Sequence, residues 1–196
     1  MALEMTERGI GLELIQRKVC LILFEELNDE FTLQEQLWED RDKEWNQITG
    51  QDLGVTNLEK VKPEHFYPGH RPSLIEKLPK PNYPNVSVMA YQGRPPASVI
   101  DQTTNFNVNV DIELMVKSEK SESEVDRRSH RSVEAIHQVM VRNESLGGFS
   151  MGWENDPIVQ LTDIFSRRED KGAGKVWYWQ ANRIRYSLLR RSNLPE

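Results

Sequence analysis

The sequence predicts an α+β fold, a mostly antiparallel four-stranded sheet with helices packed on one face. Three observations predict it. Four stretches with strand patterning fall into two successive pairs, one amphipathic helical stretch separates the pairs, and two more helical stretches precede them across a proline-rich segment. The expected order is α-α-loop-β-β-α-β-β, one domain over residues 1–196 with an extended Pro-rich loop at about 50–85.

From Gly11 to Asn28 the residues Leu12, Ile15, Val19, Ile22 and Leu23 recur at three- and four-residue steps, which predicts a core helix with a wide buried face. Thr32 followed by Glu35 has the form of a capping box, and Leu33, Leu37, Trp38 and Trp45 continue at helical spacing, so a second, more acidic helix is expected to start there. Between Gly50 and Asn85 six prolines exclude helix interiors and central strands. Val86–Gln92 and Thr103–Ser118 form the first strand pair, joined by a turn at Gly93, Pro95 and Pro96. In the longer strand, Phe106, Val108, Val110, Ile112, Leu114 and Val116 share the core face. Asn107, Asn109, Asp111, Glu113, Met115 and Lys117 share the other. Ser121 with Glu124 starts a helix whose Val125, Val133, Ile136, Val139 and Met140 point inward, and Gly147 and Gly148 end it. Ile158–Ser166 and Lys175–Arg190 form the second strand pair around the polar tip RREDKGAGK.

Composition narrows the function. A net charge of -6 argues against a protein that coats nucleic acid. A mean hydropathy of -0.66 is low for a compact monomer and hints at surfaces completed by neighbours. No apolar run approaches the roughly 20 residues of a membrane span, and the N-terminus lacks a signal layout, so a soluble protein, intracellular at birth, is expected. The single Cys20, in VCLILF, excludes an internal disulfide and reads as core. Acids crowd residues 25–44 and arginines crowd residues 183–191, an asymmetry that suits head-to-tail association of identical copies.

Motifs for chemistry are sparse. Asp111 and Glu113 with Lys117 have the residue types of a Mg²⁺ nuclease site, but the lysine sits four residues past the second acid, about 13 Å along a strand. His130 and His137 are about 10 Å apart on a helix, too far to share a metal, and His65 and His70 have no acidic or thiolate partner at ligand spacing. Nucleotide-binding glycine loops and a nucleophile elbow are absent. No catalytic residue, metal or cofactor is therefore assigned. Trp177, Trp179, Arg183 and Arg185 alternate along the last strand; these types stack on single-stranded nucleic acid but also mark protein interfaces. Asp111, Glu113, Trp177, Trp179, Arg183 and Arg185 are the candidate subunit interface, the acidic face of one copy meeting the Trp/Arg face of the next. His65, Phe66, Tyr67, His70 and Arg71 are the candidate clasp loop onto a neighbour, in a segment (Lys62 to Lys80) expected to be dispensable for folding.

The core helix, the loop FYPGHRPSLIEKLPKPNYPNVSVMAYQ, the strand NFNVNVDIELMVKSE, the helix SESEVDRRSHRSVEAIHQVMV, the LGG turn at Leu146 to Gly148 and the closing strand pair together resemble tail-terminator and neck (head-tail joining) proteins of long-tailed bacteriophages. The resemblance implies a non-enzymatic virion subunit, made in the bacterial cytoplasm, that closes into a homo-hexameric ring. Such a ring caps the tail tube protein, meets a head-completion or connector protein, and passes DNA through its channel without binding membrane. The alternatives are a head-side stopper, a non-viral adaptor module and a metal-dependent nuclease.

Overall fold

The computed structural model describes residues 11–54, 56–69, 83–92, 105–148, 158–170 and 176–191. Its elements are α1 (Leu12–Thr49), β1 (Phe66–Pro68), β2 (Asn85–Gln92), β3 (Asn105–Ser118), α2 (Glu122–Arg142), β4 (Ile158–Asp170) and β5 (Val176–Arg191), with a single 3₁₀ turn at Pro63–His65 ahead of β1. The strands form one sheet in the order β1-β2-β3-β5-β4. The α+β class stands, with two differences from expectation.

The first is in the helices. A single 38-residue α1 replaces the two helices expected on either side of Asn28. Its span holds neither Gly nor Pro, and breaking it would leave backbone groups without partners at two new ends. The apparent cap at Thr32 is therefore used otherwise. Thr32 Oγ1 donates back to the Asn28 carbonyl at 3.2 Å, and Glu35 Oε1 accepts the Leu58 N–H at 2.6 Å. The helix ends only at Gly50, whose left-handed backbone (φ 70°) carries its N–H to the Asn46 carbonyl at 2.8 Å.

The second is in the sheet, which is mixed. β2–β3, β3–β5 and β5–β4 are antiparallel as expected, but β1, inside the proline-rich segment, pairs parallel with β2 from Phe66↔Val86 to Pro68↔Val88. Pro68 ends that short edge strand, where a missing N–H does least harm. The turn expected at Gly93–Pro96, the strand start at Thr103 and the tip at 171–175 lie outside the described residues.

Both helices pack on one face of the sheet. Val108, Val110, Ile112, Leu114 and Val116 of β3, Val86 and Val88 of β2, and Ile184, Tyr186 and Leu188 of β5 form one buried cluster with Ile15, Val19, Leu23 and Leu27 of α1 and all five inward residues expected of α2. Each fully buried aliphatic side chain in that cluster contributes roughly 1.5–3 kcal/mol relative to exposure. Ser121 caps α2 by accepting the Glu124 N–H at 3.1 Å, while the Glu124 side chain turns instead to Ser118 and Arg128. After α2 the chain turns through Leu146 (φ 48°), Gly147 (φ 70°) and Gly148 (φ 95°). Leu146 tolerates the left-handed backbone because its side chain is fully buried.

Candidate functional site

The period-two geometry of β3 and β5 places all six candidate interface residues on the sheet face away from the helices. Register then decides who meets whom. Asp111 lies opposite Arg185, Glu113 opposite Arg183, and Lys117 opposite Trp179. Arg185 grips Asp111 as a fork, Nε to Oδ1 at 2.8 Å and Nη2 to Oδ2 at 3.0 Å, and Arg183 donates to Glu113 Oε1 through Nε at 3.0 Å and again through Nη2. Tyr91 on β2 donates its hydroxyl to Asp111 at 3.2 Å and lies under the Arg185 guanidinium, 5.6 Å from ring centre to cation. Burial, with the adjacent Asp111 carboxylate, raises the Tyr91 hydroxyl above its ordinary pKa, so it stays a donor.

The carboxylates are nearly closed off, Asp111 at 3% and Glu113 at 6% exposure, whereas the side chains of Arg183 and Arg185 keep 27% and 32%. The face therefore shows solvent the rims of its arginines and hides its acids. Next along β5, Trp177 and Trp179 meet edge to face at 5.6 Å, Tyr83 packs on Trp179 at 4.1 Å, and Lys117 Nζ sits 4.6 Å above the Trp177 ring. The acid-to-arginine pairing that the sequence suggests between copies is thus made within one chain. The same pairing removes the basis for a nuclease site: both carboxylates are held by guanidinium groups, and Lys117 lies over an indole. Among the described residues no group of three or more His, Cys, Asp and Glu side chains is placed to hold a metal ion.

The clasp candidates are divided. His65 is buried, its Nδ1 3.0 Å from the Pro84 carbonyl oxygen, Phe66 packs edge-on against Phe24 at 5.6 Å, and Tyr67 sits in β1. These three are built into the body of their own chain, unlike the detachable loop expected from the sequence. His70 and Arg71 lie outside the described residues.

A cluster that the sequence reading passes over joins the two helices. Arg131, 5% exposed, donates to both oxygens of Asp42 at 2.7 and 3.0 Å and lies 4.9 Å from the Trp38 ring centre; Arg142 reaches Glu30 at 2.6 Å. The signal was present, since Arg127, Arg128 and Arg131 recur at helical spacing opposite an acid-rich α1, but only the antiparallel packing of the helices reveals it. Part of the charge asymmetry along the chain is thereby answered internally. Beside this cluster a crevice of about 480 Å³ opens between α1 and Asp52, Gly54, Thr56 and Asn57. Its acids are engaged: Asp42 by Arg131, Asp52 by the Gly54 N–H, Glu35 by the Leu58 N–H and Glu39 by Lys43.

The return segment after α1 is bound to the helix at two levels. Leu58 N–H meets Glu35, and Asn28 exchanges two hydrogen bonds with the Val61 backbone at 2.8 and 2.9 Å. Three extended residues and seven helical residues both cover about 10 Å, so the segment runs antiparallel along α1 in step with it.

Among the described residues the exposed large apolar side chains lie mostly on α1: Leu21 (45%), Phe24 (44%), Leu33 (57%), Leu37 (43%), Trp45 (48%) and Ile48 (75%), with Val141 (45%) on α2. At about 100° per residue, Phe24 and Leu33 point to opposite sides of the helix, with Leu21 on the first side and Leu37 and Ile48 on the second. No helix among the described residues is long and apolar enough to cross a membrane. No family model matches the chain, and no curated protein matches its sequence.

Proposed function

We propose that this chain is a structural assembly subunit, and in particular a ring subunit of a long-tailed phage tail or neck acting as the tail terminator. The observation that carries the proposal is the pair of exposed apolar surfaces on opposite sides of α1. A subunit that must touch its neighbours in a ring and also the components above and below needs separate contact surfaces of this kind. The hydrogen-bonded Arg/Asp/Glu/Tyr face supports the same reading, since its carboxylates are buried in ion pairs that rigidify a wall and leave no open acid or base. The order of elements, ending in helix, LGG turn and strand pair, supports the finer assignment to terminator or neck proteins.

Native mass spectrometry across a concentration series, with and without Mg²⁺, tests the proposal. A closed hexamer indifferent to metal is expected. A chain that stays monomeric throughout, including in the presence of tail tubes, refutes it and leaves the adaptor reading.

A further inference from the structure

From Glu35 onward α1 has no fully buried residue, and its last four turns, about 22 Å, form an arm held along one side only, by Leu58 at Glu35 and by Arg131 at Trp38 and Asp42. The stripe along the arm's free side reads Leu33, Leu37, Asp40, Glu44, Ile48, successive steps of three and four residues. Two exposed leucines are thus followed by two exposed acids and then an isoleucine at 75% exposure. Asp40 shares Lys43 with Glu39, at 3.5 and 2.8 Å, and Glu44 makes no hydrogen bond or ion pair among the described residues. The leucine end is extended by α2: Arg142 bonds Glu30, one turn before Leu33, which brings the exposed Val141 to the same end of the stripe.

We infer that this stripe docks a helix of another protein that carries Lys or Arg between apolar residues, its cations opposite Asp40 and Glu44 and its apolar residues over Leu33, Leu37 and Ile48. Charge selects the occupant. Residues 35–49 hold five acids (Glu35, Glu39, Asp40, Asp42, Glu44) against Arg41 and Lys43, a net charge of about -3, and on the second face of the sheet Arg183 and Arg185 are already paired with Glu113 and Asp111. A second copy of the arm docked in parallel sets Asp40 and Glu44 against themselves, and an antiparallel copy sets them against each other or against leucine, both unfavourable. A cationic amphipathic helix satisfies the apolar ends and the acidic middle together, the usual helix-in-groove arrangement. The inference does not depend on ring closure and stands or falls separately from it.

The test uses the full chain and a labelled 18-residue peptide of leucine and lysine patterned for one apolar helical face, with a leucine/glutamate peptide as its mirror in charge. Fluorescence anisotropy should show saturable one-to-one binding of the lysine peptide only. Leu37→Asp, and separately the double variant Asp40→Lys with Glu44→Lys, should weaken it by about tenfold or more, and the double variant should gain binding of the glutamate peptide. All three positions are exposed, so the variants should keep the parent circular dichroism spectrum and melting curve. Binding of the lysine peptide that is unchanged in both variants, or no binding at all, overturns the inference. So does sedimentation of the unliganded protein as a dimer that Leu37→Asp dissociates, since the occupant is then a second copy.

Discussion

Asp111 and Glu113 are the residues whose surroundings decide most. Each is a nearly closed-off carboxylate on a strand, and each has an arginine placed directly across the ladder. Removing one partner leaves the other charge buried without compensation, at a cost of about 3–5 kcal/mol for a well-buried pair and less here, because the arginines are a quarter to a third exposed. Arg185→Ala should therefore destabilise clearly in urea titration, and the double variant Asp111→Asn with Arg185→Gln should recover most of the loss; equal losses in both would mean the pair contributes little. Cys20 is a second case. Burial pushes its thiol up to about 11 from 9.0, so at neutral pH a thiol-specific reagent should modify it only as fast as the protein opens. Burial likewise raises the fully buried Tyr186 hydroxyl. In both groups the fold favours the neutral form, so their stabilising effect is intact below their ordinary values and is lost as pH rises past them. The urea midpoint should hold up to pH 9 and fall beyond it, and Tyr186→Phe should flatten the part of the fall above about pH 10.

On the scale of elements, α1 shows how one motif serves two structures. Thr32 and Glu35 have the spacing of a helix start, yet the hydroxyl bonds back to Asn28 and the carboxylate holds the return segment at Leu58. Thr32→Ala should consequently change stability by less than about 0.5 kcal/mol, whereas loss of a true N-cap costs about 1 kcal/mol; a thermal melt of the variant distinguishes them. Glu35→Ala should cost more than Thr32→Ala, because the Leu58 N–H then loses its acceptor in a half-buried place. Four strands, the second helix and its Ser121 cap were legible, since a long alternation and a helical period survive any packing. The parallel strand β1 was not, because three residues ending in proline carry no periodic signal and depend on β2 to exist.

For the whole molecule, the segment from Pro63 to Gly69 belongs to the body rather than to a detachable clasp. Deleting residues 62–69 should remove a sheet edge and the buried His65 and broaden or abolish cooperative unfolding, which a calorimetric scan would register. Two opposed apolar surfaces and one acidic-centred arm are the contact surfaces that the proposed assembly role would use, in a chain of low mean hydropathy.

What the sequence determined by itself was periodicity: which residues of β3, α2 and the first half of α1 face inward, and that Asp111 shares a face with Glu113. Side-chain period follows from local backbone geometry and needs no partner. Only the tertiary structure decided that Arg183 and Arg185 neutralise those acids within the chain, that Arg131 finds Asp42, and that Leu33, Leu37 and Ile48 stay uncovered. Those outcomes depend on strand register and helix crossing, which are set by contacts between residues some 70 to 90 positions apart and leave no mark in any local window of sequence.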